Sequence, residues 1–258
     1  MATPWTNPTP QYHGIVAAYK AYATAPTGVG PRQANYPPHR TTPMVDWREV
    51  FKYNLVYLVY GKPLVGKTRL AVNIADADLK DKRRVVYITS ELNNKPLLDK
   101  IKPHVTELVE QYDPITLLDW AKRLTVREPT TIIIDSLGGL REYYITNYGT
   151  GNLLVDVGRA NRLIISLVHT LTERWLLGQL KLVLLSHESP AIRENWFGED
   201  GYPTASLHAI HDASVIVRVV AREVVEGNVV RIERFGRIIE DRYGLIGAGE
   251  FRIPEPLF

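Results

Sequence analysis

The sequence predicts an α/β domain whose mostly parallel, twisted sheet is flanked by helices and followed by antiparallel strands. Three observations predict it. Short apolar, β-branched runs alternate with helical stretches, which implies parallel strands joined by crossover helices. The first of these runs passes through a glycine-bounded loop into a helix, and the texture changes after Ser214 to longer strand-like segments. In order, Leu55 to Tyr60 has the composition of a buried parallel strand, and Leu70, Ile74 and Ala77 then recur at helical spacing. VVYIT (85–89), TIIID (131–135) and KLVLLS (181–186) supply further strands. Ala160, Leu163, Leu167, Leu171 and Trp175 form the core-facing stripe of a helix between the last two. SVIVRVVAREVV, EGN and VVRIERF read as a β-hairpin and EFRI as a last strand, so the C-terminal part is expected to be antiparallel and to cap the parallel sheet.

The chain has 258 residues and 45% hydrophobic content, enough for one α/β domain with an extension. Residues 1–43 hold eight of the 17 prolines and no acidic residue, which predicts an extended arm ahead of a main domain at 44–258. Zero cysteines exclude a disulfide framework and a Cys-based zinc site. No apolar run approaches the ~20 residues of a membrane span, so the expectation is a cytoplasmic protein without a membrane partner. Few Met and abundant Arg, Val, Ile and Tyr suit a thermophile. A net charge of +3 does not announce a nucleic-acid binder, so any such contact must come from local clusters.

Gly61, Lys62, Pro63, Leu64, Val65, Gly66, Lys67 and Thr68, followed by Arg69, fit GxxxxGK[ST]. In that loop backbone amides and the lysine surround nucleotide phosphates, and the Thr hydroxyl ligates Mg2+. The helix start adds its positive dipole end. The expected ligands are therefore ATP and Mg2+. In a parallel sheet, chemistry lies at the carboxyl ends of strands. Asp135, closing TIIID, is placed to hold the metal together with Thr68. Glu91, after VVYITS, is a candidate base for the attacking water, and Lys67 a catalytic cation. His187 and Glu188, after KLVLLS, are candidates for sensing the γ-phosphate, with a solvated loop as the other reading. The segment 189–204 carries Arg193 as its single arginine, unlike the Arg-rich lid of a small-molecule kinase.

These features together resemble the RecA superfamily of P-loop ATPases, and among them the archaeal RadA recombinase and its shorter paralogues. The phosphate loop, Glu91, DSLGGLREYYITNYGTGNLL and the later WFGEDGYPTASLHAIHDASVIVRV carry the resemblance over roughly 56–253. It implies a RecA-like core, ATP hydrolysis, a role in DNA recombination or repair, and a homo-oligomer or a recombinase partner. It also implies DNA contacts from two loops, one with Arg141 and Tyr144, the other with Arg193 and Trp196. Aromatic faces beside few charges suit single strands, although Glu142, Glu194, Glu199 and Asp200 offset the arginines. Tyr22 to Ala25 is similar to the aromatic-x-x-Ala hook by which such proteins join subunits. Arg231 and Arg234 are, by the same resemblance, candidates to reach ATP on an adjacent subunit; the plain alternative is solvated strand-edge charge. The loop interior KPLV and the absence of the family's Gly-rich segment before the loop depart from its pattern and favour a paralogue. A KaiC-like regulatory ATPase, or a nucleotide switch with little turnover and no DNA role, shares the same core motifs.

Overall fold

The computed structural model describes residues 43–91, 95–175, 179–189, 202–203, 207–226, 229–255 and 257. The expected arm up to residue 42, its Tyr22 hook, Arg193 and Trp196 lie outside the described residues. Among the described residues, nine strands form one sheet in the order β3-β2-β4-β5-β1-β7-β8-β9, with β6 paired to β5. They are β1 (Val56–Gly61), β2 (Arg84–Thr89), β3 (Glu107–Glu110), β4 (Thr130–Asp135), β5 (Leu180–Ser189), β6 (Tyr202–Pro203), β7 (Val215–Glu226), β8 (Val229–Asp241) and β9 (Glu250–Arg252). The α-helices among the described residues are α1 (Trp47–Phe51), α2 (Lys67–Lys80), α3 (Lys95–Ile101), α4 (Pro114–Arg123), α5 (Leu137–Tyr148), α6 (Leu153–Trp175) and α7 (Leu207–Asp212).

The four pairings among β1, β2, β3, β4 and β5 are parallel, as is β1–β7, while β7–β8 and β8–β9 are antiparallel. The C-terminal strands therefore extend the sheet beside β1 rather than cap it. Alternation along each strand feeds two cores. Tyr57 and Val59 of β1 pack with Leu70 and Ile74 of α2, and Val56, Leu58 and Tyr60 face Leu117 of α4 and Leu167 of α6. Burial on both faces is why the central strands read as unbroken apolar runs.

Local sequence explains the helix starts. Asp113 accepts from the amides of Ile115 (3.1 Å) and Thr116 (3.3 Å), with Pro114 in the first turn of α4. Ser136 accepts from the Gly139 amide (3.3 Å) at the start of α5. The segment holding Arg141 and Tyr144, read in the sequence as a glycine-containing loop, is thus a capped helix. β3, ELVE, was not predicted; it is an edge strand whose charged ends hide the period.

At the edge opposite the expected site, α2 is tied to the sheet by a buried ion pair. Lys181 donates to both carboxylate oxygens of Asp78, at 2.7 and 3.0 Å, and Thr131 Oγ1 donates to Asp78 Oδ2 at 2.7 Å. Arg83 completes the cluster by donating to Thr131 Oγ1 (3.0 Å). Burial pulls the Lys181 ammonium below its usual range, against the Asp78 charge. Lys181→Ala leaves that carboxylate buried without its cation and is expected to cost about 3–5 kcal/mol, read from the urea midpoint. A cost under about 1 kcal/mol would mean that Thr131 suffices for Asp78.

Candidate functional site

Strand register brings the site together. Gly61 lies beside His187 in the β1–β5 pair, and Asp135 beside Thr89 in the β2–β4 pair, with β5 between β1 and β4. All four strand ends meet on one edge of the sheet. Between β1 and α2 the chain turns through Lys62, Pro63, Leu64 and Val65, with Leu64 at φ 64° and 94% exposed. Gly66 then starts α2 at φ 107°, a left-handed conformation that favours glycine, and it has no side chain to cap the helix. Gly61 is fixed by crowding, since a Cβ there would lie 2.4 Å from the Val219 carbonyl oxygen.

Lys67 is buried, and its ammonium donates to the carbonyl oxygens of Gly61 (3.0 Å) and Lys62 (2.9 Å). Burial lowers its pKa, while the charges of Asp135, Glu91 and Glu188 oppose that shift. Thr68 Oγ1 donates to Asp135 Oδ2 at 2.8 Å, and Tyr87 Oη donates to the same oxygen at 2.7 Å. The Asp135 carboxyl is raised above the usual aspartate range, first by burial and then by the Glu91 charge. Thr68 and Asp135 offer adjacent hard oxygens at a helix start, a donor set that fits Mg2+ keeping water and phosphate as its other ligands.

Glu91 follows β2, and its Oε1 meets two donors, Ser136 Oγ at 2.8 Å and His187 Nε2 at 3.2 Å. The His187 contact lowers the Glu91 carboxyl most, burial opposes it, and Ser136 lowers it further. Two glycines make this packing possible. A Cβ on Gly138 would sit 2.8 Å from His187 Cδ2, and one on Gly139 would sit 2.4 Å from the Ser90 carbonyl oxygen. The chemistry available is a carboxylate, a buried cation and a hard-oxygen pair around the loop from Gly61 to Gly66.

Other expected residues stand apart from this cluster. Glu188 is engaged by Arg218 through Nε (3.1 Å) and Nη2 (2.9 Å), a bidentate pair buried on both sides. Arg69 leaves the loop to donate to the Pro254 carbonyl and pair with Glu255 at 2.9 Å. Arg141 and Tyr144 ride on α5, where Tyr144 packs against Tyr148 (5.4 Å between ring centroids) and Tyr143 stacks on Tyr112 (6.2 Å). Arg231 is exposed on β8 opposite Val224. Arg234, on the other face of β8, reaches its own chain's Gly61 to Gly66 loop, because a Cβ on Gly66 would lie 2.7 Å from Arg234 Cδ. Tyr87, Arg218, the contact of Ser136 with Glu91 and this placement of Arg234 were not found in the sequence. A tyrosine inside VVYIT gives no sign of where its hydroxyl points, whereas Ser136 carries a helix-start signal.

Because Asp135 titrates above its usual range in the fold, its charged form weakens the protein once pH exceeds the ordinary aspartate range. Below that range both states are protonated and the effect vanishes. Asp135→Asn is therefore expected to raise stability at pH 7 by on the order of 1 kcal/mol, with the gain fading in acid. Denaturant melts at neutral and acid pH check this; a loss at pH 7 would mean that the Thr68 and Tyr87 hydrogen bonds outweigh burial. No protein-family model matches the chain, and neither does any curated protein, so its own side-chain geometry bears on its function.

Proposed function

We propose that the chain is an ATP-binding and ATP-hydrolysing protein with a RecA-like core, nearest in its motifs to RadA paralogues, that acts on DNA in recombination or repair. The observation that carries this is the convergence of Lys67, Thr68, Asp135 and Glu91 on one sheet edge around the loop from Gly61 to Gly66. Loop amides, the α2 start and Lys67 bind the phosphates of ATP, and a phosphate anion replaces the carbonyl dipoles as the partner of a desolvated ammonium. Thr68 and Asp135 would hold Mg2+, directly or through water, and the bound ion would supply neutralisation of phosphate charge. Glu91 orients a water and takes its proton as the water oxygen bonds to the γ-phosphorus and the bond to the bridging oxygen breaks, releasing ADP. His187 keeps Glu91 ionised for that task. Lys67 and Arg234 stabilise the charge that develops.

The DNA role rests on the tyrosines of α5, which offer ring faces to single-stranded bases more than charge to phosphates. Arg231 remains the candidate for a neighbouring subunit's nucleotide in an oligomer. One observation favours the second reading, a self-contained nucleotide switch: Arg234 already brings a cation to the loop of its own chain.

Turnover measured alone, with single-stranded DNA and with duplex DNA, tests these roles. ATP hydrolysis should require Mg2+ and rise with single strands; Lys67→Ala should abolish it, and Glu91→Gln should slow it at least ~100-fold while ATP still binds. Wild-type turnover in Lys67→Ala would remove the phosphate site. Turnover indifferent to DNA and flat in specific activity over a protein titration would leave the switch.

A further inference from the structure

Ser136 sits at the junction of three structural demands. It is fully buried, it follows Asp135 at the end of β4, and it starts α5. Its hydroxyl has one proton and two lone pairs. Glu91, acceptor-only when ionised, takes the proton at 2.8 Å, while the Gly139 amide takes a lone pair at 3.3 Å. Ser90 clamps the backbone beneath: the Ser136 amide donates to Ser90 Oγ (2.9 Å), and that hydroxyl donates back to the Ser136 carbonyl. The hydroxyl is thereby fixed in place before any ligand arrives.

Resting on the ATPase reading above, we infer that Ser136 is a positioning residue for Glu91, fixing the carboxylate against His187 on one side of Oε1 so that it meets the attacking water in one orientation. A carboxylate on a chain with three rotatable bonds loses catalytic efficiency when its orientation spreads. Two donors on one oxygen narrow that spread. The titratable groups whose fields reach Glu91 are His187, Lys67 and Asp135. Ser136 carries no charge, so its removal changes orientation and hydrogen bonding at Glu91 without adding or deleting a charge. Glycine at 138 and 139 serves the same end, since side chains there would push against His187 and Ser90.

The test compares Ser136→Ala, which removes the donor, with Ser136→Thr, which keeps it, in the full chain. Hydrolysis is measured at limiting and saturating ATP across pH, and the Glu91 carboxyl is titrated by 13C NMR, its signal assigned by loss in Glu91→Gln. Ser136→Ala should lower kcat about tenfold with KM for ATP within about twofold, and Ser136→Thr should recover most of the rate. The acid limb of kcat and the Glu91 titration should both move to higher pH in Ser136→Ala, because a donor to the charged form is gone. Wild-type kcat in Ser136→Ala overturns the inference, as does an equal loss in both variants with the Glu91 titration unmoved, which would make Ser136 a helix cap alone. If the wild type hydrolyses no more ATP than Lys67→Ala, the ATPase reading and this role fall together. If it does hydrolyse, a silent Ser136→Ala removes only this role.

Discussion

A buried ammonium held by carbonyl dipoles is the constraint on which the rest of the site depends. Lys67 sits at the first turn of α2 with the carbonyl oxygens of Gly61 and Lys62 around it. Dipoles compensate a desolvated cation less well than an anion does, and the lowered pKa of Lys67 expresses that deficit. The conformation that makes this possible is backbone-encoded. Gly66 must take a positive φ, Leu64 does so as well, and Gly61 must lie against Val219 without a side chain. The loop cannot relax around the lysine without giving up these positions.

The opposite edge of the sheet supplies the rigidity. Asp78 on the last turns of α2 is locked to Lys181 of β5 and Thr131 of β4, so α2 is pinned at its far end and its start is held over the ends of β1, β4 and β5. Both edges carry buried charge, with different consequences. At the far edge the pair is closed, cation on carboxylate with hydroxyl support. At the near edge Lys67 and Asp135 are both pushed toward their neutral forms, and Asp135 meets hydroxyls rather than a cation. Stability is conceded where a charged ligand would restore it.

Much of this architecture was legible because it is local. The strand–loop–helix around Gly61 to Thr68, the apolar runs of β2, β4 and β5, the stripe on α6 and the antiparallel pairing of β7 with β8 each follow from periodicity and turn residues within a few positions. The ends of those runs also located Asp135, Glu91 and His187. What escaped depends on contacts between distant positions. Tyr87 meets Asp135 across 48 residues, and Glu91 meets Ser136 across 45. Nothing in the sequence signalled that Arg218 would meet Glu188, a candidate sensor, from β7. The α5 segment misled for a local reason: two adjacent glycines suggest a loop, whereas they are there to let Ser90 and His187 approach a helix. Antiparallel pairing at the C-terminal end was legible, but whether those strands cap or extend the sheet rests on the pairing of β7 with β1.

The central claim is that the loop with Lys67, together with Thr68 and Asp135, forms one site for a nucleotide triphosphate and its metal. Calorimetric titration of the chain with ATP, in Mg2+ and again in excess chelator, tests it most directly. One ATP per chain should bind in Mg2+, at least about tenfold more tightly than in chelator, a difference of about 1.4 kcal/mol. Absence of binding in Mg2+, or an affinity unchanged by chelator, would contradict it.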